Sequence, residues 1–156
     1  MMFLDTSEFS QIIKNTPLIS IDLIVKNNQN EVLLGKRSNN PAKGFWFTPG
    51  GRIYKDESIE DAFRRISKDE LGTKFNISDA KFLGVFQHFY DDNVFNNKFS
   101  THYIVLAFEI ETSKKLGLDR IQHLGQKWFK KDTLNSSDLV HKYVKDYFII
   151  KGGKVK

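Results

Sequence analysis

The chain of 156 residues contains no cysteine. That absence removes disulfides, thiolate nucleophiles and zinc-thiolate sites together, and it suits a reducing compartment. Long apolar runs are missing as well, because Asp22 interrupts the most apolar one well short of the roughly 20 residues that a membrane-spanning helix needs. The first residues, MMFLDTSEF, lack the basic segment and the apolar stretch of a secretory signal. The expectation is a soluble, intracellular, cytoplasmic protein with no membrane partner. Internal repeats, linkers and low-complexity tracts are also absent. One domain over residues 1–156 is therefore expected, large enough to bury roughly 70% of its unfolded surface.

What is present begins with a formal net charge of +5, which suits an anionic ligand. The lysines are scattered and thicken mainly at the tail, at Lys151, Lys154 and Lys156. A solvated basic surface accounts for them better than a nucleic-acid site does.

Patterning places a short amphipathic helix at Thr6–Asn15, with Phe9, Ile12 and Ile13 on one side. Pro17 then opens a strand over Leu18–Lys26, and the Asn27–Asn30 cluster turns the chain into a second strand, Glu31–Arg37. A short strand at Phe45–Thr48 enters a glycine turn. Two β-rich runs follow the next helix, Lys81–Tyr90 and Tyr103–Glu111, separated by an Asp/Asn-rich loop. A last strand at Lys127–Lys130 precedes a helix over about Ser137–Ile150. Strands before, between and after two substantial helices predict an α/β fold with a mixed sheet between helical layers.

The most informative stretch is GRIYKDESIEDAFRRISKDELG, from Gly51 to Gly72. Ser58 suits a helix N-cap and Gly72 the left-handed residue that ends a helix. Ile59, Ala62, Phe63 and Ile66 recur at helical spacing, so one stripe faces a core. At about 100° per residue, Glu70 lies on that same stripe, with Arg65 and Asp69 toward its flank. A carboxylate aimed into an apolar face is tolerated when a cation or strong donors hold it. The alternative is that Glu70 frays outward in the last turn. The upstream Pro49-Gly50-Gly51 favours the metal reading, since two glycines let a carbonyl oxygen approach a hard cation such as magnesium.

The spacing of Gly51, Glu57, Arg65, Glu70 and Gly72 resembles the Nudix box, which implies a Nudix-type α/β/α sandwich. Two positions depart from it: Ile66 stands where a glutamate belongs, and Asp69 where the first of a glutamate pair belongs. The segments TPLISIDLIV, LLGKRSNNPAKGFWFTPGGR, GVFQHFYDDN and THYIVLAF, with Gln122-His123, are similar to the GDP-mannose mannosyl hydrolase subfamily. That resemblance covers nearly the whole chain. It implies magnesium-dependent hydrolysis of a GDP-hexose, with manganese able to substitute, by attack of water at sugar C1 with inversion. It implies a homodimer as well. Attack at C1 needs less metal charge than attack at phosphorus, because the strain of charge falls on an oxocarbenium-like carbon and a departing diphosphate. The loss of one box carboxylate to Ile66 is compatible with that.

The resemblance also implies residue roles, each with an ordinary alternative. Glu70, Gln122 and the carbonyl of Gly50 would ligate the metal, although Gln122 alone reads as a loop polar residue. Arg37, Arg52 and Arg65 would grip the diphosphate, bidentate geometry favouring arginine; any one of them could be a surface cation. Asp22 and His88 would contact the sugar or be satisfied polar groups of the core, and Tyr103 would contact the diphosphate or simply pack. His123, in a loop expected over Leu118–Gln126, would be the general base, with Arg37 and Asp22 also in the catalytic set; the alternative is an exposed histidine without a role. Asp69 would either recruit a second ion or pair with Arg65 on the surface. Two other functions stay open: a Nudix pyrophosphohydrolase that splits a nucleotide sugar at phosphorus, and a nucleotide-binding module without catalysis.

Overall fold

The computed structural model describes residues 4–96, 98–116 and 123–149, the side chains of His123 and Leu124 excepted. Helix α1 spans Thr6–Asn15 and is closed at its start by a reciprocal cap, Asp5 accepting from the Glu8 amide and Glu8 from the Asp5 amide. Strands β1 (Leu18–Lys26) and β2 (Val32–Arg37) flank the asparagine turn, where Asn27 Oδ1 accepts from the amides of Gln29 and Glu31. Then come β3 (Trp46–Phe47), β4 (Gly50–Arg52) and helix α2 (Ile59–Leu71). After a 3₁₀ turn at Ile77–Asp79 the chain forms β5 (Lys81–Tyr90), β6 (Thr101–Glu111), β7 (His123–Phe129), α3 (Lys131–Ser136) and α4 (Lys142–Ile149).

The sheet is mixed, as the pattern of elements predicts. Its path runs β3-β2-β1-β6-β5, with β4 added to β1 and β7 to β2. β1 and β6 are parallel from Leu18↔Tyr103 to Lys26↔Glu111, and the remaining pairings are antiparallel. Because side chains alternate along a strand, β1 supplies both cores. Ile21, Leu23 and Val25 pack with Ala62, Phe63, Ile66 and Leu71 of α2. On the other face Ile24 joins a cluster containing Phe86, Val105 and the α4 residues Tyr143, Val144 and Tyr147. Helices thus cover both faces, which is why β1 is apolar almost without interruption.

Helix α2 follows its sequence signals closely. Ser58 accepts from the Asp61 amide, and Gly72 ends the helix at φ 69°. Ile59 is the exception to the stripe: at the first turn it is 42% exposed, beyond the reach of the sheet.

The carboxyl-terminal third departs from expectation. β7 begins at His123, four residues before the expected strand, because β2 offers a full edge and pairs with it from Val32↔Phe129 to Arg37↔His123. The later part of the expected 118–126 loop is therefore strand. The helix expected from Ser137 begins only at Lys142, as α4, and the short helix α3 precedes it where none was expected. Between them the backbone is drawn to β3, where the Trp46 amide donates to the Leu139 carbonyl and the His141 amide to the Trp46 carbonyl. A sheet edge that satisfies these groups outcompetes a continuous helix.

Candidate active site

A cavity of about 280 Å³ opens where β1, β4, β5 and α2 converge. Asp22, Arg37, Gly50, Arg52, Arg65, Glu70, His88 and Tyr103, scattered over 82 positions of sequence from the first to the last, all line it. Gln122 lies outside the described residues, as does the side chain of His123. The His123 backbone is nonetheless the register partner of Arg37.

The floor is a buried polar chain. Asp22 interrupts the apolar face of β1 and is 7% exposed. Its Oδ2 accepts from Tyr147 Oη at 2.5 Å and from Thr48 Oγ1 at 3.3 Å. Burial pushes the Asp22 carboxyl up to about 6 despite those two donors, and the nearby Glu70 charge adds to the rise. Tyr147 Oη also lies 3.3 Å from His88 Nε2. His88 pairs with Tyr103 across β5 and β6, and its ring stacks on Tyr143 at 4.1 Å and 6°. Burial, aided by His141, takes His88 down to about 3, so it is neutral throughout the physiological range. Burial also raises the Tyr103 phenol above its ordinary value.

One wall is cationic. Arg37 Nε donates to the Pro41 carbonyl at 2.8 Å, which fixes its side chain at the end of β2. Arg52 lies with its guanidinium 3.9 Å from the Phe9 ring centre and 5.7 Å from that of Tyr54, so α1 helps hold it. Arg65 has different company. Its Nε and Nη2 donate to the two Glu57 oxygens at 2.7 and 2.9 Å, and Nη2 donates to the Arg52 carbonyl at 2.8 Å. The Glu57 carboxyl is held below its usual range by that pairing. Arg65 therefore ties α2 to the loop before it and to the backbone of Arg52, while its own guanidinium also faces the Tyr54 ring at 4.0 Å. Asp69 Oδ2 lies 4.0 Å from Arg65 Nη1, the i,i+4 arrangement, and Asp69 borders the cavity as well.

The glycine turn is sterically demanding. A Cβ at Gly50 would stand 2.6 Å from both Asp22 Oδ1 and the Ile21 carbonyl, so no larger residue fits between β4 and β1. At Gly51 the nearest neighbour of such an atom is Ile66 Cγ1, at 3.1 Å. Ile66 is 1% exposed and part of the α2 core. The position where the box carries a carboxylate is thus filled by packed hydrocarbon.

Glu70 faces inward and is 3% exposed at the cavity wall, which agrees with the helical-stripe argument and not with fraying. Among the described residues no group of three histidines, cysteines or carboxylates is assembled to hold a metal ion. Glu70 and Gly50 line the cavity together with Asp22, and a carboxylate with a backbone carbonyl is the donor chemistry that a hard cation such as magnesium takes.

Sequence reasoning missed Tyr147 and Thr48. The available signal was the i,i+4 pair Tyr143 and Tyr147 on the apolar face of the last helix, since a buried phenol needs a polar partner. Tyr143 finds its partner in the Phe89 backbone, donating to the carbonyl and accepting from the amide, each at 2.8 Å.

A NUDIX domain model matches residues 16–148. The chain belongs to the NUDIX domain family. Among sequence relatives, the low-salt glycan biosynthesis protein Agl8 of Haloferax volcanii is 43% identical over 103 residues, which are 66% of this chain and 64% of Agl8. The match thus spans somewhat under two thirds of that relative's length. An ADP-ribose pyrophosphatase of Methanocaldococcus jannaschii is 41% identical over 56 residues, covering 36% of this chain and 32% of the relative. The fold is shared with the MutT protein of Methanosarcina mazei at a TM-score of 0.68 and 22% identity, covering 86% of this chain and 92% of that one. It is shared also with the NUDIX domain of Shewanella oneidensis NrtR, solved with ADP ribose, at a TM-score of 0.65 and 17% identity, covering 93% and 96%. This is a Nudix hydrolase fold, and no helix among its described residues is long and apolar enough to cross a membrane.

Proposed function

We propose that this Nudix protein hydrolyses a GDP-hexose, GDP-mannose or GDP-glucose, to GDP and free sugar by attack of water at C1. The observation that carries the reading is Ile66, buried against Gly51 where the box has a carboxylate. With that position apolar, Glu70 is the helix carboxylate buried at the cavity wall, and the smaller metal charge this permits is compatible with attack at C1, which asks less of a metal than substitution at phosphorus does. The similarity to Agl8, a glycan biosynthesis protein, supports a sugar-nucleotide substrate.

In this mechanism Arg37 and Arg52 bind the diphosphate, and Arg65 serves through Glu57 and the Arg52 carbonyl to keep Arg52 in place. Asp22 and His88 take hexose hydroxyls at the cavity floor, and Tyr103 borders the diphosphate. Glu70, the Gly50 carbonyl and Gln122 are the proposed holders of Mg2+ or Mn2+, which when bound would neutralise charge on the leaving diphosphate. His123, beginning the strand that pairs with Arg37, is the proposed general base, a role that rests on the subfamily resemblance. The same resemblance proposes a homodimer.

Hydrolysis of GDP-mannose with Mg2+ in oxygen-18 water tests the reading. Label at C1 of the released hexose, with unlabelled GDP, is the expected outcome. Label in a phosphate group, or release of GMP and sugar phosphate, would overturn it in favour of pyrophosphate cleavage, the activity named for the Methanocaldococcus relative.

A further inference from the structure

Tyr147 is 5% exposed, belongs to the last helix and has no part in the box, yet its hydroxyl touches two polar groups of the cavity floor. A phenol carries one proton and can accept with its lone pairs. The acceptor closest to that proton is Asp22 Oδ2 at 2.5 Å. His88 Nε2, at 3.3 Å, must then be the donor to the phenol oxygen. That requirement selects the Nε2–H tautomer of a histidine that burial keeps neutral. The consequence for Asp22 is geometric. Oδ2 is engaged by Tyr147 and Thr48, while Oδ1, which accepts no hydrogen bond among the described residues, sits against Gly50 at the cavity wall.

Packed rings and hydrogen bonds surround this hydroxyl. The Tyr147 ring meets Phe86 edge-on at 4.7 Å, and the His88 ring is stacked on Tyr143, itself pinned twice to the Phe89 backbone. Tyr143 and Tyr147 are one helical turn apart, so a single face of α4 sets the plane of His88 and the position of its partner.

We propose that Tyr147 is a positioning residue whose hydroxyl joins Asp22 to His88, fixing the histidine as the Nε2–H tautomer and presenting Asp22 Oδ1 to a hydroxyl of the bound sugar. The sugar part rests on the nucleotide-hexose reading above; the tautomer does not. An unrestrained Asp22 would still bind, but with its free oxygen averaged over several orientations.

The test uses the full chain and the substitution Tyr147→Phe, which keeps the ring packed and removes only the hydroxyl. Nitrogen-15 NMR of the imidazole groups at pH 8 should find wild-type His88 protonated at Nε2, and Tyr147→Phe should lose that preference. Titration calorimetry with Mg2+ should show GDP-hexose binding weakened by roughly 10-fold in the variant, with GDP binding unchanged. A wild-type His88 protonated at Nδ1 would overturn the proposal without any variant being needed. A Tyr147→Phe protein with wild-type tautomer and wild-type affinity for GDP-hexose would overturn it too. If the wild type binds GDP-hexose no better than GDP and hydrolyses none, it is the substrate reading that fails, and the tautomer result still decides the role of Tyr147.

Discussion

Replacing Asp22 by Asn should make the protein more stable at pH 8 while impairing its activity. Burial moves the Asp22 carboxyl from its ordinary 3.8 to about 6. Since the folded state holds this proton more tightly than the unfolded chain, the stability that goes with the protonated Asp22 is fully present below pH 3.8 and is lost as the pH rises to about 6. At roughly 1.4 kcal/mol per pH unit, the ionised carboxylate costs about 3 kcal/mol of stability at pH 8. The side chain is 7% exposed, so solvent screening relieves little of this. An amide keeps an oxygen for Tyr147 and Thr48 but adds two donors that need acceptors, so the net gain should be about 1–3 kcal/mol. A domain of this size would melt about 2–4 °C higher for each kcal/mol. Chemical denaturation of both proteins in EDTA at pH 8 and near pH 4 measures the difference, and the gap should close at the lower pH, where wild-type Asp22 is itself neutral in the fold. A variant that is less stable at pH 8, or a gap that is the same at both pH values, would refute the reasoning. Loss of turnover alongside gained stability would mark Asp22 as a group kept at a cost for substrate.

Glu70→Gln should remove Mg2+-dependent turnover by roughly 10²-fold or more, because a neutral amide fits the same space but is a poor ligand for a hard cation. Asp69→Asn, at an exposed flank, should stay near wild type; steady-state rates with varied Mg2+ separate the two, and equal damage would call for a second ion at Asp69. Arg65→Lys retains the charge but loses the fork that meets both Glu57 oxygens and the Arg52 carbonyl. Urea denaturation should register a loss of about 1–3 kcal/mol, and unchanged stability would show that this half-buried pair contributes nothing.

The local chemistry of α2 could be read from sequence because capping and periodicity act over a few residues: Ser58, Gly72 and the inward side of Glu70 all follow from spacing alone. The mixed sheet between helices was legible for a similar reason, since strand runs and helical periods alternate along the chain. The resemblance carried by the box and its neighbouring segments pointed to eight residues that the folded chain brings to one cavity. Sequence could not show that Asp22 meets Tyr147, 125 positions away, or that Arg65 spends its donors on Glu57 and the Arg52 carbonyl. Nor could it place the break between α3 and α4, where the chain follows the edge of β3 instead of its own helical preference. Side-chain type and spacing determine what a segment can do. Which buried donor meets which acceptor is decided only when distant segments pack, because an unpaired polar group in a core costs more than local propensity supplies.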